Sequence, residues 1–108
     1  MRTVPRISYA RSADGVSVAF TVAGAGPGVV FVPWVPFSNL RMEWQNPRLS
    51  RVFEQLAQRL TLVHYDGRGT GHSQRDVTDL SLEAMVSDLE AVIDRAGLAE
   101  VGLLGQYA

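Results

Sequence analysis

The chain has 108 residues, room for one domain but short for a sheet covered by helices on both faces. Hydrophobic residues make up 46% and charged residues 19%, a balance that excludes a disordered polyelectrolyte and requires a folded core. With 10 Lys+Arg against 11 Asp+Glu, two His and no Cys, the composition offers no basis for a nucleic-acid or anionic-membrane partner, a disulfide, thiolate catalysis or a metal cluster.

The N-terminal Met1-Arg2-Thr3-Val4-Pro5 lacks the apolar run of a signal peptide and no later segment approaches membrane-spanning length, so a cytoplasmic location is the expectation. Ile7 to Arg11 and Val16 to Val22 are β-favouring runs separated by Ser12-Ala13-Asp14-Gly15, whose Asp-Gly pair signals a hairpin. In the second run Val16, Val18, Phe20 and Val22 alternate with Ser17, Ala19 and Thr21, which predicts a half-buried antiparallel pair. Gly24 to Gly28 then break the pattern before Val29-Val30-Phe31-Val32, a continuous apolar run suited to a strand buried on both faces.

A loop is expected from Pro33 through Pro36 to about Gln45. Asn46-Pro47 is a helix start, with Asn as N-cap and Pro at the first helical position. Leu49, Val52, Phe53 and Leu56 recur at helical spacing up to Arg59, and Leu60 to Tyr65 reads as a strand. A second amphipathic helix is predicted from Ser81 to Ala96, with Leu82, Met85, Val86, Leu89, Val92, Ile93 and Ala96 on its apolar stripe and Gly97 as C-cap. Val101 to Leu104 reads as one more buried strand. Two strand–helix–strand units after a hairpin predict an α/β fold: a mostly parallel sheet with right-handed crossovers, helices on both faces, and an antiparallel pair at one edge.

Asp66-Gly67-Arg68-Gly69-Thr70-Gly71-His72-Ser73 is the densest motif. Gly67 and Gly69 are followed by His72 where a dinucleotide fingerprint needs its third glycine, and no G-x-x-x-x-G-K-[ST] occurs, so no nucleotide cofactor is expected. Gly69 and Gly71 read as residues that turn the backbone through positive φ, Asp66 as a turn former whose carboxylate accepts backbone N–H groups, and Arg68 as a structural donor. His64 falls inside a strand and reads as a core residue; His72 is expected to be solvated or hydrogen-bonded locally.

That order of elements, with the D-x-R-G-x-G-x-S turn and Gly102-Leu103-Leu104-Gly105, resembles the first part of an α/β-hydrolase domain. Glu43-Trp44-Gln45-Asn46-Pro47-Arg48-Leu49 together with Tyr65 to Gly71 is most similar to the hydrolase-type domains attached to bacterial nucleotide cyclases or LuxR-type regulators. The resemblance implies that residues 1–108 form a partial domain reaching the nucleophile elbow, an incomplete hydrolase fold. Gly105 then aligns with the first glycine of G-x-S-x-G and Tyr107 takes the nucleophile position. A phenol with a pKa of about 10 is a poor substitute for a base-activated serine, so Tyr107 is expected to be non-catalytic.

In this resemblance the triad acid and His follow the nucleophile, whereas both histidines here precede it. The oxyanion hole would take backbone N–H groups from Ala108 and Trp34, while Trp34, Val35 and Phe37 would line a pocket for a small apolar or ester-type molecule. The implied activity of the complete form is acyl or ester hydrolysis, with the present residues inactive alone. The competing class is a non-enzymatic ligand-binding or regulatory module. In the resembled strand order, 1-2-4-3-5, Val101 to Leu104 becomes an open apolar edge, so the chain by itself is expected to self-associate through it, to be poorly soluble, or to be part of a longer product.

Overall fold

The computed structural model describes residues 4–33 and 39–105. Its elements are β1 (Ser8–Arg11), β2 (Ser17–Ala23), β3 (Gly28–Val32), α1 (Leu40–Gln45), α2 (Pro47–Ala57), β4 (Thr61–Tyr65), α3 (Leu82–Ala96) and β5 (Val101–Gly105). They build one five-stranded sheet in the order β1-β2-β4-β3-β5. β2 pairs antiparallel with β1 and with β4, while β3 lies parallel to β4 on one side and to β5 on the other.

The hairpin closes as the Asp-Gly signal requires. Ser12 N–H donates to Val16 C=O at 2.9 Å, Gly15 N–H donates to Ser12 C=O at 2.9 Å, and Gly15 takes φ +86°. The half-buried pattern expected of β2 is corrected, because Ala19 and Thr21 are as deeply buried as Val18 and Phe20, and only Val22 is exposed. β2 is flanked on both edges and covered on both faces. Val16, Val18 and Phe20 join Val30, Val63, Tyr65 and Val92 beneath α3, and a second cluster of Phe31, Trp44, Phe53 and Leu62 lies on the other face.

The loop expected up to Gln45 contains α1. Asn39 caps it, its side chain accepting Met42 N–H at 3.1 Å while its own N–H donates to Glu43 Oε2 at 3.0 Å. Leu40 and Trp44, four residues apart, bury the inner face. Asn46 then ends α1 and caps α2 at once: its extended backbone (φ −71°, ψ 119°) breaks the helix, and its side chain accepts Arg48 and Leu49 N–H.

Both longer helices are turned slightly from the faces their apolar residues suggest. α2 buries Ser50 and Phe53 and leaves Val52 outside. α3, capped by Ser81 and by Gly97 at φ +76°, buries Ala84, Asp88 and Val92, while Leu82 and Val86 of the expected stripe are exposed. The cause in α3 is Asp88, which turns inward to meet a buried cation. β5, expected to be buried, is not: β3 alone flanks it among the described residues, and Leu103 and Leu104 are 59% and 40% exposed. No helix among the described residues is long and apolar enough to cross a membrane.

Candidate functional site

β3, β4 and β5 run parallel, so their carboxyl ends reach one edge of the sheet. The register sets Phe31 beside His64 and Val32 beside Gly105, which brings the chain after β3, the turn after β4 and the end of β5 together. Ligand sites in open α/β sheets form at such carboxyl ends.

The turn after β4 is held by a dense set of bonds. Asp66 N–H donates to Ala19 C=O at 3.0 Å, Ser73 Oγ donates to Asp66 C=O at 2.7 Å, and Ser73 Oγ accepts Ala19 N–H at 2.8 Å. Gly69, at φ +78°, donates its N–H to Gln74 C=O. The Asp66 carboxylate is fully buried and bridges two backbones, accepting Leu40 N–H at the first turn of α1 (2.7 Å) and His72 N–H (2.8 Å). A carboxylate there also complements the positive end of α1. Gly71, at φ +51°, lies so close that a Cβ would overlap this carboxylate. His72 Nδ1 stands 3.8 Å from Asp66 Oδ2, too far for a hydrogen bond.

Arg68, 1% exposed, extends beneath the hairpin. Nε and Nη2 make a fork to the Asp88 carboxylate (2.9 and 2.7 Å), Nη1 and Nη2 make another to Asp14 (2.7 and 2.9 Å), and Nη1 also reaches Asp79 C=O at 3.0 Å. Both forks raise the Arg68 pKa above its ordinary value. The hydrogen bond from Arg68 lowers the Asp14 pKa to about 2. Asp14 and Asp88 were outside the sequence reading of this cluster; the one sequence signal for Asp88 is its spacing of four from Ala84 and from Val92, the two other residues α3 buries.

His64 is fully buried on the α2 side, edge-on to Phe31 and Phe53 with centroids 5.0 and 4.8 Å away. Its Nε2 stands 2.8 Å from Glu43 Oε1, and Nδ1 has no hydrogen-bond partner among the described residues. Burial pushes the Glu43 carboxyl up, but the His64 bond and the Asn39 N–H outweigh it and hold the group below its ordinary pKa. An ionised Glu43 fixes the proton on Nε2. The pair joins α1 to β4 on the face opposite α3.

On the α3 side an apolar cleft of about 290 Å³ opens at the carboxyl ends of β3 and β4, lined by Val32, Pro33, Tyr65, Leu82, Met85, Val86 and Leu89, with Asp88 and Gly67. Burial raises the Tyr65 pKa, with Asp88 adding to it. Neither histidine lines this cleft. Of the residues singled out from sequence, Asp66, Arg68, Gly69, Gly71 and Ser73 meet in one turn, and Gly105 ends β5 beside Val32. Trp34, Val35, Phe37, Tyr107 and Ala108 lie outside the described residues.

No family model matches the chain. It is 28% identical over 92 residues, 85% of its length, to a soluble epoxide hydrolase of Corynebacterium sp. (strain C12), covering 30% of that protein. An α/β hydrolase from Sphaerobacter thermophilus DSM 20745 superimposes with a TM-score of 0.70 at 33% identity, over 91% of this chain and 35% of the other. An esterase from Exiguobacterium antarcticum gives a TM-score of 0.71 at 28% identity, over 91% and 34%. The chain thus spans about a third of the length of each of these relatives.

Proposed function

Because the chain is a partial α/β-hydrolase-fold domain, we propose that it is the scaffold of a cytoplasmic acyl or ester hydrolase and does not turn over substrate by itself. In this reading Tyr107 occupies the nucleophile position without acting as one, Trp34 and Ala108 supply the oxyanion N–H groups, and Trp34, Val35 and Phe37 wall a pocket for a small apolar or ester-type molecule. The supporting observation is the level ending of β3 and β5 at Val32 and Gly105, beside the end of β4. Chain continuing from those two points starts out from neighbouring strands, as an oxyanion loop and a nucleophile elbow must.

The placement of the bases supports the expected lack of turnover. His64 is committed to Glu43 in the core and His72 sits in the turn at Asp66, so neither has a nucleophile to activate among the described residues. With p-nitrophenyl acetate and butyrate, release of nitrophenol is expected to match buffer alone. Turnover abolished by Tyr107→Phe would contradict the reading.

The apolar cleft favours one second reading, a non-enzymatic ligand-binding module. Its volume of about 290 Å³ sits at the lower end of small-molecule pockets. Phenyl acetate should then shift the Met85 methyl resonance saturably without being hydrolysed; an unchanged resonance removes this alternative.

A further inference from the structure

α1 is six residues long, too short to persist in water without anchors from elsewhere in the fold. The backbone donors at its cap and at its first residue are both taken by carboxylates. Asn39 N–H donates to Glu43 Oε2 at 3.0 Å, and Leu40 N–H donates to Asp66 Oδ1 at 2.7 Å. Asp66 follows β4 directly, while Glu43 reaches β4 through its other oxygen, 2.8 Å from His64 Nε2. The start of α1 is thus tied twice to one stretch of backbone. His64 can serve in one way only. Its ring is fully buried, edge-on to Phe31 of β3 and Phe53 of α2, and Nδ1 has no hydrogen-bond partner among the described residues. A neutral imidazole carries one proton. On Nε2 that proton is donated to Glu43; on Nδ1 it becomes a buried donor without an acceptor and turns the lone pairs of Nε2 and Glu43 Oε1 towards each other.

We propose that Glu43 and His64 form a latch that docks the N-terminal turn of α1 on β4, closed by the proton on His64 Nε2, and that losing it frees this turn locally while the sheet stays intact. The latch has no spare acceptor. Two donors, Asn39 N–H and His64 Nε2–H, meet one side chain with an oxygen for each, so removing an acceptor disturbs both ends. Asn39 in turn caps α1 by accepting Met42 N–H at 3.1 Å, which carries any loosening at Asn39 into the helix. Asn39 is also the α1 end of the connection from β3, so the latch sets where that connection closes. That the connection belongs to a catalytic site rests on the hydrolase reading; the latch does not, and none of its tests reads activity.

Nitrogen-15 spectroscopy of the His64 ring, together with amide hydrogen exchange of the 108-residue chain, tests the latch. In the unaltered chain the ring proton is expected on Nε2. Glu43→Leu keeps the bulk and removes both acceptors; exchange at Asn39 and Met42 should then rise by roughly ten-fold or more, with Val63 and Tyr65 of β4 unchanged. Glu43→Gln leaves one acceptor for two donors, so either the ring proton moves to Nδ1 and the Gln amide donates to Nε2, or Asn39 loosens as it does in Glu43→Leu. The proposal is overturned by a ring proton on Nδ1 in the unaltered chain, by Asn39 and Met42 unaffected in Glu43→Leu, by a Glu43→Gln chain that shows neither change, or by Val63 and Tyr65 accelerating in step with α1.

Discussion

At Arg68 one guanidinium joins three segments distant in sequence: the hairpin turn through Asp14, the loop carbonyl of Asp79, and α3 through Asp88. Asp88 is 2% exposed, so losing the cation strands a buried carboxylate. Arg68→Met is expected to lower the unfolding free energy by about 3–5 kcal/mol, measured by urea denaturation, and Arg68→Lys to restore only a part because an ammonium cannot form two forks. Arg68→Met combined with Asp88→Leu should recover most of the loss; a fully stable Arg68→Met would show that the cluster contributes nothing. The pH dependence has a definite sign. The Asp14 pKa falls from 3.8 to about 2 on folding, so its contribution is complete above 3.8 and disappears as pH falls towards 2. Urea midpoints should decline across that window, and less steeply in Asp14→Asn. Two glycines separate backbone strain from open space. Gly71→Ala should cost about 1–3 kcal/mol for the left-handed backbone alone and more for displacing Asp66, whereas a Cβ at Gly105 meets nothing within 4 Å among the described residues and Gly105→Ala should be nearly neutral.

Among the elements, existence and type followed closely from periodicity and caps, and facing did not. Asn46-Pro47, Ser81 and Gly97 set helix ends through local hydrogen bonds that the sequence displays. Which residues of a helix reach the core depends on what the sheet presents: Asp88 turns in because Arg68 waits there, and small Ser50 takes the place expected of Val52. α1 was missed because its signal, an Asn39 cap and the Leu40/Trp44 pair, spans fewer than two turns and stands between two prolines and Asn46-Pro47. The candidate site divides the same way. Asp66, Arg68 and the turn glycines are adjacent in sequence and legible together, while Asp14, Asp88 and the Glu43–His64 pair are made neighbours only by the sheet. The facing of α2 is testable by exchange of stability. Phe53 contacts the rings of Phe31, Trp44 and His64 at 5.5, 5.0 and 4.8 Å, so Phe53→Ala should cost about 3–5 kcal/mol. Val52→Ala should stay within about 0.5 kcal/mol, and comparable losses at the two positions would refute the assigned face.

For the molecule as a whole, the sheet order determines what the chain can do. Placing β3 between β4 and β5 makes three parallel strands end together, beneath an α3 whose outer stripe is left open to form the cleft. The radius of gyration of 12.9 Å agrees with the value of about 13 Å for a folded chain of this length, and the described residues pack around two apolar clusters. The most direct test of this arrangement is the set of interstrand nuclear Overhauser contacts in isotope-labelled protein. Contacts between Val30 and Leu103 and between Val32 and Gly105 are expected, in parallel register. Contacts joining β5 to β1 or β2 instead, or a parallel register shifted by even one residue, would contradict the placement of the site.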